Sequence, residues 1–175
     1  LACQACFPNA SITIDRFHVV KALNHTLDTY RKTLRKEHPQ QEVFKDIKWV
    51  LFKSKIDLQQ QQKLDDAFKK APLLEELVTL RNQFNNLFDI APNALWLNQQ
   101  LDIWHKESSQ LALPAIGKFL KTLKNWQILI ANFAENKLTN AATEGLNNLI
   151  RYVKRISFGI PNFEHMRLRV LLNFT

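Results

Sequence analysis

Glycine is scarce in this chain. Only three glycines occur among 175 residues, Gly117, Gly145 and Gly159, and the six prolines fall mostly at natural breaks. Glycine and proline are the residues that most often interrupt regular structure, so their sparse use predicts long helices. We predict three helices over about 17–37, 42–53 and 58–70. Three more begin near Pro72, Pro92 and Pro114, and the last of these runs to about Ala134. A final pair covers 140–157 and 161–173.

One strand interrupts this helical pattern. Residues 11–15 alternate apolar and polar side chains and follow Pro8 and Asn9, which separate them from a preceding helical end. The fold class is therefore mainly α, with one strand. The four tryptophans and most phenylalanines fall within the helices, and we predict that they belong to the core.

Length and charge limit the classes of protein that the chain can represent. It is long enough to bury a core without disulfides, and no apolar run reaches the length of a membrane span. The chain begins at Leu1 and its only methionine is Met166, so we expect it to be part of a longer protein. The net charge of +8 favours an anionic partner such as nucleic acid. Most of the excess lies in residues 1–38 and 137–175, whereas 39–136 is nearly neutral.

Residues 138–155, LTNAATEGLNNLIRYVKR, predict a strongly amphipathic helix that begins near Ala141, with Thr139 or Asn140 as its N-cap. Leu146, Leu149, Ile150 and Val153 follow the spacing of a core-facing stripe. The opposite face carries, in order, Glu144, Asn147, Asn148, Arg151, Lys154 and Arg155. Two interpretations fit this pattern. The charges could simply complement the helix dipole, acid first and bases last. Alternatively, the face could hold a carboxylate beside a strip that grips a phosphate backbone, as phosphoryl-transfer nucleases require.

Two stretches of the chain resemble a known family. Residues 7–24, FPNASITIDRFHVVKALN, and residues 138–172, LTNAATEGLNNLIRYVKRISFGIPNFEHMRLRVLL, are similar to the C-terminal part of bacterial insertion-sequence transposases of the ISL-three family. These are DDE transposases with a ribonuclease-H-like catalytic core. The resemblance runs from about Cys6 to Leu172, and its two ends are the specific parts.

The resemblance implies roles for individual residues. Glu144 matches the last acid of the Asp-Asp-Glu metal triad, and Asp15 and His18 match an Asp-Arg-Phe-His element at the end of a core strand. Asp15 is either the second triad acid or part of an Asp-x-x-His signature that follows that acid; in the second case the chain lacks both triad aspartates. Asp15 and Glu144 are thus the expected metal ligands. We also predict a set of DNA-binding residues: Arg16, Lys21, Asn140, Asn147, Asn148, Arg151, Lys154 and Arg155.

The resemblance also implies an architecture. Residues 1–38 would end the ribonuclease-H-like core, 39–136 would be an all-helical, bundle-like insertion, and 137–175 would return to the catalytic core. Asp15 and His18 would then lie close to Glu144.

The implied activity is metal-dependent cleavage and strand transfer at insertion-sequence ends. We expect Mg²⁺ or Mn²⁺ only with a complete triad, so this chain alone should be inactive. Expected partners are double-stranded DNA and further copies of the protein, in the bacterial cytoplasm near the nucleoid, with no membrane. The competing hypotheses are a non-catalytic helical protein that binds nucleic acid and a helical interaction scaffold.

Overall fold

The computed structural model describes residues 5–53, 55–111, 113–137, 139, 141–159 and 162–172. This part of the chain is mainly helical and divides into two compact units, residues 1–137 and 138–175. The helices of the first unit are α1 (Arg16–Glu37), α2 (Val43–Asp46), α3 (Leu58–Lys70), α4 (Pro72–Ile90), α5 (Ala94–Ser109), α6 (Pro114–Ala131) and α7 (Phe133–Asn136). The second unit has α8 (Ala141–Ile156) and α9 (Phe163–Leu172). No helix among the described residues is long and apolar enough to cross a membrane.

Local signals account for the starts of several helices. The side chains of Asp57 and Asn93 accept hydrogen bonds from the backbone N–H groups of the first turns of α3 and α5, at 2.8 and 2.9 Å. Helices α4 and α6 each begin at a proline, Pro72 and Pro114, whose missing N–H has no intrahelical partner to lose.

Two clusters of apolar side chains form the core of the first unit. The larger lies among α1, α4, α5 and α6, where Phe84 contacts the rings of Phe88, Trp104 and Phe119. The smaller joins the end of α1 to residues 43–52, α3 and the start of α4, around Phe44 and Ile47. In the second unit α8 and α9 pack against each other, and Val153 is its only buried side chain among the described residues.

The strand predicted at 11–15 does not form in the described part of the chain. A strand needs a neighbouring strand for its hydrogen bonds, and this segment instead bonds to the C-terminal end of α6. Backbone N–H of Ile14 donates to the carbonyl of Leu129 at 3.0 Å, and the amide of Asn132 donates to the carbonyl of Ile12 at 2.9 Å.

The prediction that the tryptophans belong to the core holds only in part. Trp104 is buried and Trp96 is partly buried against the larger cluster, but Trp49 and Trp126 are exposed. Two helix ends also differ from prediction. The helix expected over 42–53 is regular only over Val43–Asp46 and continues as turns, and the helix that begins at Pro114 ends at Ala131.

Candidate active site

Asp15 begins helix α1. Its backbone is extended, and its carboxylate accepts a hydrogen bond from the N–H of Phe17 at 2.8 Å. The carbonyl of Asp15 accepts from the N–H of His18 at 3.1 Å. An Asp side chain in this position satisfies one of the N–H groups that a helix leaves without an intrahelical partner. The residue therefore has a structural role whether or not it also takes part in chemistry.

Both sides of Asp15 are anchored to other helices of the first unit. The preceding residues bond to the end of α6, where Leu129 has one of the carbonyls that lack an intrahelical donor. On the other side the guanidinium of Arg16 forms an ion pair with both carboxylate oxygens of Asp89 on α4 and donates to the carbonyl of Asn85 at 3.2 Å. It also lies 5.6 Å from the ring centroid of Phe88. These contacts hold the Asp15 backbone in one place.

Arg16 was expected to contact DNA, and the structure shows what that contact would have to replace. Its guanidinium forms a bidentate ion pair with the carboxylate of Asp89, and Arg binds phosphate in the same way. A phosphate would therefore have to compete with the carboxylate of Asp89. No pattern in the sequence identifies Asp89 as the partner of Arg16, because the two residues are 73 positions apart.

His18 and Lys21 are on the exposed side of the first turns of α1. The rings of His18 and Phe17 meet edge to face, with centroids 5.4 Å apart, and Nζ of Lys21 lies 5.7 Å from the Phe17 ring centroid. Phe17 is itself 56% exposed. The start of α1 thus presents an imidazole, an ammonium group and an aromatic ring to solvent, beside the carboxylate of Asp15.

The second group of predicted residues lies along α8. Glu144 is in the first turn, Lys154 and Arg155 are in the last turn, and the amides of Asn147 and Asn148 lie between them. All of these side chains are exposed, as is Arg151. At 100° per residue, Glu144, Asn148, Arg151 and Arg155 share one narrow stripe of the helix surface. Arg151 accordingly donates to Oδ1 of Asn148, at 3.2 Å.

The apolar side of α8 is only partly covered. Val153 is buried and Leu149 and Ile150 are half-buried, as the spacing predicts, but Leu146 is 40% exposed. The hydroxyl of Thr139 accepts from the N–H of Ala141 at 3.4 Å, a weak cap at the start of the helix. Asn140, also expected to bind DNA, lies outside the described residues.

Carboxylates are suitable ligands for Mg²⁺, but a site needs several of them together. Among the described residues no three His, Cys, Asp or Glu side chains form a group that could hold a metal ion. Asp15 and His18 belong to the first unit and Glu144 to the second. The described residues thus supply donors of the right kind but do not assemble a complete metal site, and the proximity of Asp15 and Glu144 stays a prediction.

Two large surface cavities lie between helices of the first unit. One, of about 690 Å³, lies between α1 and α6 and is lined by residues such as Thr26, Tyr30 and Phe119. The other, of about 650 Å³, lies between α4 and α5 beside Glu75 and Glu107. Neither is lined by a predicted site residue. Most of the predicted site residues lie on open surface instead, which suits a large substrate better than a small one.

Comparisons with known proteins identify the family of this chain. The family model described as transposase, of the ISL-three DDE type, matches residues 1–170. The transposase for insertion sequence element IS1001 of Bordetella parapertussis is 28% identical over 181 residues, which cover 99% of this chain and 44% of that protein. The chain thus spans less than half the length of this curated relative. No solved structure matches this chain significantly. Because the family model covers nearly all of its length, the chain belongs to the ISL-three family of transposases.

Proposed function

We propose that this chain forms the C-terminal part of the catalytic domain of a DNA transposase. The full-length protein cuts DNA at the ends of its insertion sequence and joins the freed ends to target DNA. A DDE-type transposase does this by polynucleotidyl transfer: water attacks a phosphodiester first, and the freed 3′-hydroxyl then attacks the target strand.

The observation that carries the proposal is the exposed acid and bases on α8, in a chain that the transposase family model covers from 1 to 170. Glu144 is exposed and on the face opposite to Val153, so its carboxylate is not needed to build the core. Arg151 and Arg155 follow on the same stripe, about 10 and about 16 Å further along the axis. This order suits a carboxylate at the reacting phosphate and guanidinium groups on the backbone that leads away from it.

Asp15 and His18 act with Glu144 in this proposal. The first unit holds the Asp15 backbone by contacts on both sides, as catalytic positioning requires. Asp15 is either the second triad acid or the acid of the Asp-x-x-His signature, and in both cases it lies near Glu144 in the full-length protein. The complete site takes Mg²⁺ or Mn²⁺, and carboxylates outside the described residues supply the ligands that Asp15 and Glu144 do not.

The finer architecture is proposed on the same basis. Residues 1–38 and 137–175 belong to a ribonuclease-H-like core, and 39–136 form a helical insertion between them. The family model supports this division, since it matches residues 1–170 continuously. Double-stranded DNA is the partner, bound at element ends and target sites by an oligomer of the protein. The cellular site of action is the nucleoid region of the bacterial cytoplasm.

Replacement of Glu144 in the full-length protein tests the function. Glu144→Gln keeps the size and shape of the side chain but removes its charge and replaces one acceptor oxygen with an amide donor. We expect cleavage of insertion-sequence ends to fall by about a hundredfold or more, with DNA affinity and melting temperature little changed.

Glu164→Gln is the matched control, because Glu164 is also an exposed acid in the first turn of a helix of the second unit. It should leave cleavage unchanged. Cleavage by Glu144→Gln within about threefold of wild type would show that Glu144 is not a catalytic ligand. The protein would then be better described as a non-catalytic DNA-binding protein, or as a scaffold if DNA affinity were also absent.

A further inference from the structure

One end of the first unit carries exposed bases around an exposed tryptophan. Helix α1 ends at Glu37, and the chain then turns back into the helical turns of residues 43–53. We call this part of the surface the basic end. Its members are all exposed: Arg35, Lys36, Lys45, Lys48, Trp49, Lys53 and Lys55.

The tryptophan faces outward because other residues of the same turns fill the core. Phe44, Ile47 and Val50 are buried, so positions 45, 48 and 49 lie on the opposite side. Trp49 is 72% exposed, although burying an indole contributes more apolar area than burying most other side chains. Nζ of Lys48 lies 4.4 Å from its ring centroid, which restrains the indole at the surface.

A buried arginine connects the end of α1 to residues 43–53. The guanidinium of Arg31, on α1, is 3% exposed and donates to the carbonyl of Phe44 at 2.6 Å. It also pairs with Asp28 at 2.7 Å, and the rings of His38 and Phe44 lie 6.3 Å apart. These contacts hold the end of α1 against Phe44, so the exposed bases of the two segments belong to one packed part of the unit.

The positive charge is local. Residues 35–55 contain six Lys or Arg and three acids, whereas residues 65–76, at the far end of α3 and the start of α4, contain two Lys and four acids. Arg35 and Lys36 belong to the basic segment 1–38, whereas the other members of the basic end belong to the segment 39–136, which is nearly neutral on average. The basic end is far along the sequence from the bases of α8.

We propose that the basic end binds a DNA strand where a base is unpaired, with lysines on the phosphates and Trp49 stacked on the base. A paired base offers its face only to its neighbours in the stack, whereas an unpaired base can lie against an indole. An acidic peptide would satisfy the lysines but would leave the planar surface of Trp49 without a matching group. The inference rests on the proposed function for the identity of DNA as the ligand.

The test measures DNA binding by fluorescence anisotropy with two labelled probes, a blunt duplex and the same duplex with a single-stranded tail. The parent protein is the 175-residue chain that carries Arg151→Ala and Arg155→Ala, so that α8 contributes less to DNA binding. All variants are made in this parent. Lys45→Gln with Lys48→Gln should weaken binding to both probes and reduce the slope of log affinity against log salt by about two for the duplex. Lys69→Gln with Lys70→Gln, near the acids of α3 and α4, should change neither.

Trp49→Ala should weaken binding to the tailed probe by about tenfold and leave the blunt duplex unchanged, and Trp49→Phe should restore most of the affinity. Trp126→Ala, at the other exposed tryptophan, is the control and should have no effect. Equal reductions in affinity in the basic-end and control lysine variants would overturn the inference, as would a Trp49→Ala variant that binds both probes like its parent. A fold readout by circular dichroism accompanies each variant.

These outcomes are separate from those of the Glu144→Gln experiment. Loss of cleavage in Glu144→Gln with normal binding by the basic-end variants would support the proposed function and overturn only this inference. Weaker binding by the basic-end variants, with full cleavage by Glu144→Gln, would support this inference and overturn the proposed role of Glu144 in cleavage.

Discussion

At the scale of single residues, Asp15 has a capping role that the structure shows and a catalytic role that we propose, and a simple deletion cannot separate the two. Its carboxylate caps α1 through the N–H of Phe17. Asparagine caps helices about as well as aspartate does, because its side-chain oxygen accepts the same hydrogen bond. Asn and Ala replacements therefore distinguish the cap from the charge.

We expect Asp15→Ala to lower the free energy of unfolding by about 1 kcal/mol and Asp15→Asn to leave it nearly unchanged. In the full-length protein both variants should lose strand cleavage, since both remove the charge. Chemical denaturation and a cleavage assay on the same preparations measure the two effects. A fully active Asp15→Asn protein would reduce Asp15 to a helix cap.

The ion pair of Asp28 with Arg31 is a second case at this scale. Burial alone would raise the pKa of Asp28, but hydrogen bonds from Lys32 and Arg31 lower this pKa below its ordinary value of 3.8. Because the folded-state pKa is the lower one, the pair stabilises the fold above the unfolded-state pKa. This contribution disappears as pH falls through the folded-state pKa.

Asp28→Asn should therefore destabilise the chain by about 3 kcal/mol near neutral pH, because the Arg31 guanidinium stays buried without its carboxylate. The difference from wild type should shrink as pH falls below 3.8, when unfolding is followed by urea at several pH values. Asp66→Asn removes an acid from an exposed pair with Lys69 and should have little effect at any pH. If the loss of unfolding free energy in Asp28→Asn stayed constant with pH, it would contradict the lowered pKa of Asp28.

At the scale of elements, α8 carries an exposed stripe of polar side chains that few contacts within the unit explain. Its polar stripe makes one described hydrogen bond within itself, between Arg151 and Asn148, and its side chains are otherwise open to solvent. The order of acid and bases also complements the helix dipole, so charge order alone does not separate the structural interpretation from DNA binding. Binding and stability measurements do separate them.

Arg151→Ala with Arg155→Ala should weaken binding to specific and random duplexes by similar factors, since interactions with phosphate carry little sequence information. The slope of log affinity against log salt should fall by about one for each phosphate that the variant no longer neutralises. The melting temperature should change by less than about 2 °C, because exposed charges contribute little to stability. A lower melting temperature with unchanged DNA affinity would mean that the two arginines act in packing alone.

At the scale of the whole molecule, the predicted site residues are divided between two compact units. Asp15 and His18 belong to the first and Glu144 belongs to the second. The described residues of either unit include no group of three potential metal ligands. For the two-metal mechanism that we propose, we expect further carboxylates to come from other parts of the full-length protein.

The purified 175-residue chain should not nick supercoiled plasmid DNA in Mg²⁺ or Mn²⁺, since two carboxylates hold two metal ions poorly. Nicking is followed on agarose gels, with the Glu144→Gln chain purified in parallel to reveal any contaminating nuclease. Metal-dependent nicking by the wild-type chain that disappears in Glu144→Gln would show that the chain holds a complete site.

Much of the helical architecture follows from local signals in the sequence. Sparse glycine, prolines at first turns and capping residues such as Asp57 and Asn93 act within a few residues of where they stand. The stripe of polar residues on α8 is local as well, because helix periodicity alone places Glu144 and Arg151 on one side. These features could be predicted without knowing what the helices pack against.

Contacts between distant parts of the chain determined the features that local signals did not predict. Residues 11–15 have the pattern of a strand, but a strand forms only with a partner, and their hydrogen bonds go to the end of α6. Arg16 meets Asp89 because α1 packs on α4, and Trp49 faces solvent because Phe44, Ile47 and Val50 fill the space beneath it. Periodicity records which residues share a face of one helix, but packing between helices determines which faces are buried and which bases gather at one end of the unit.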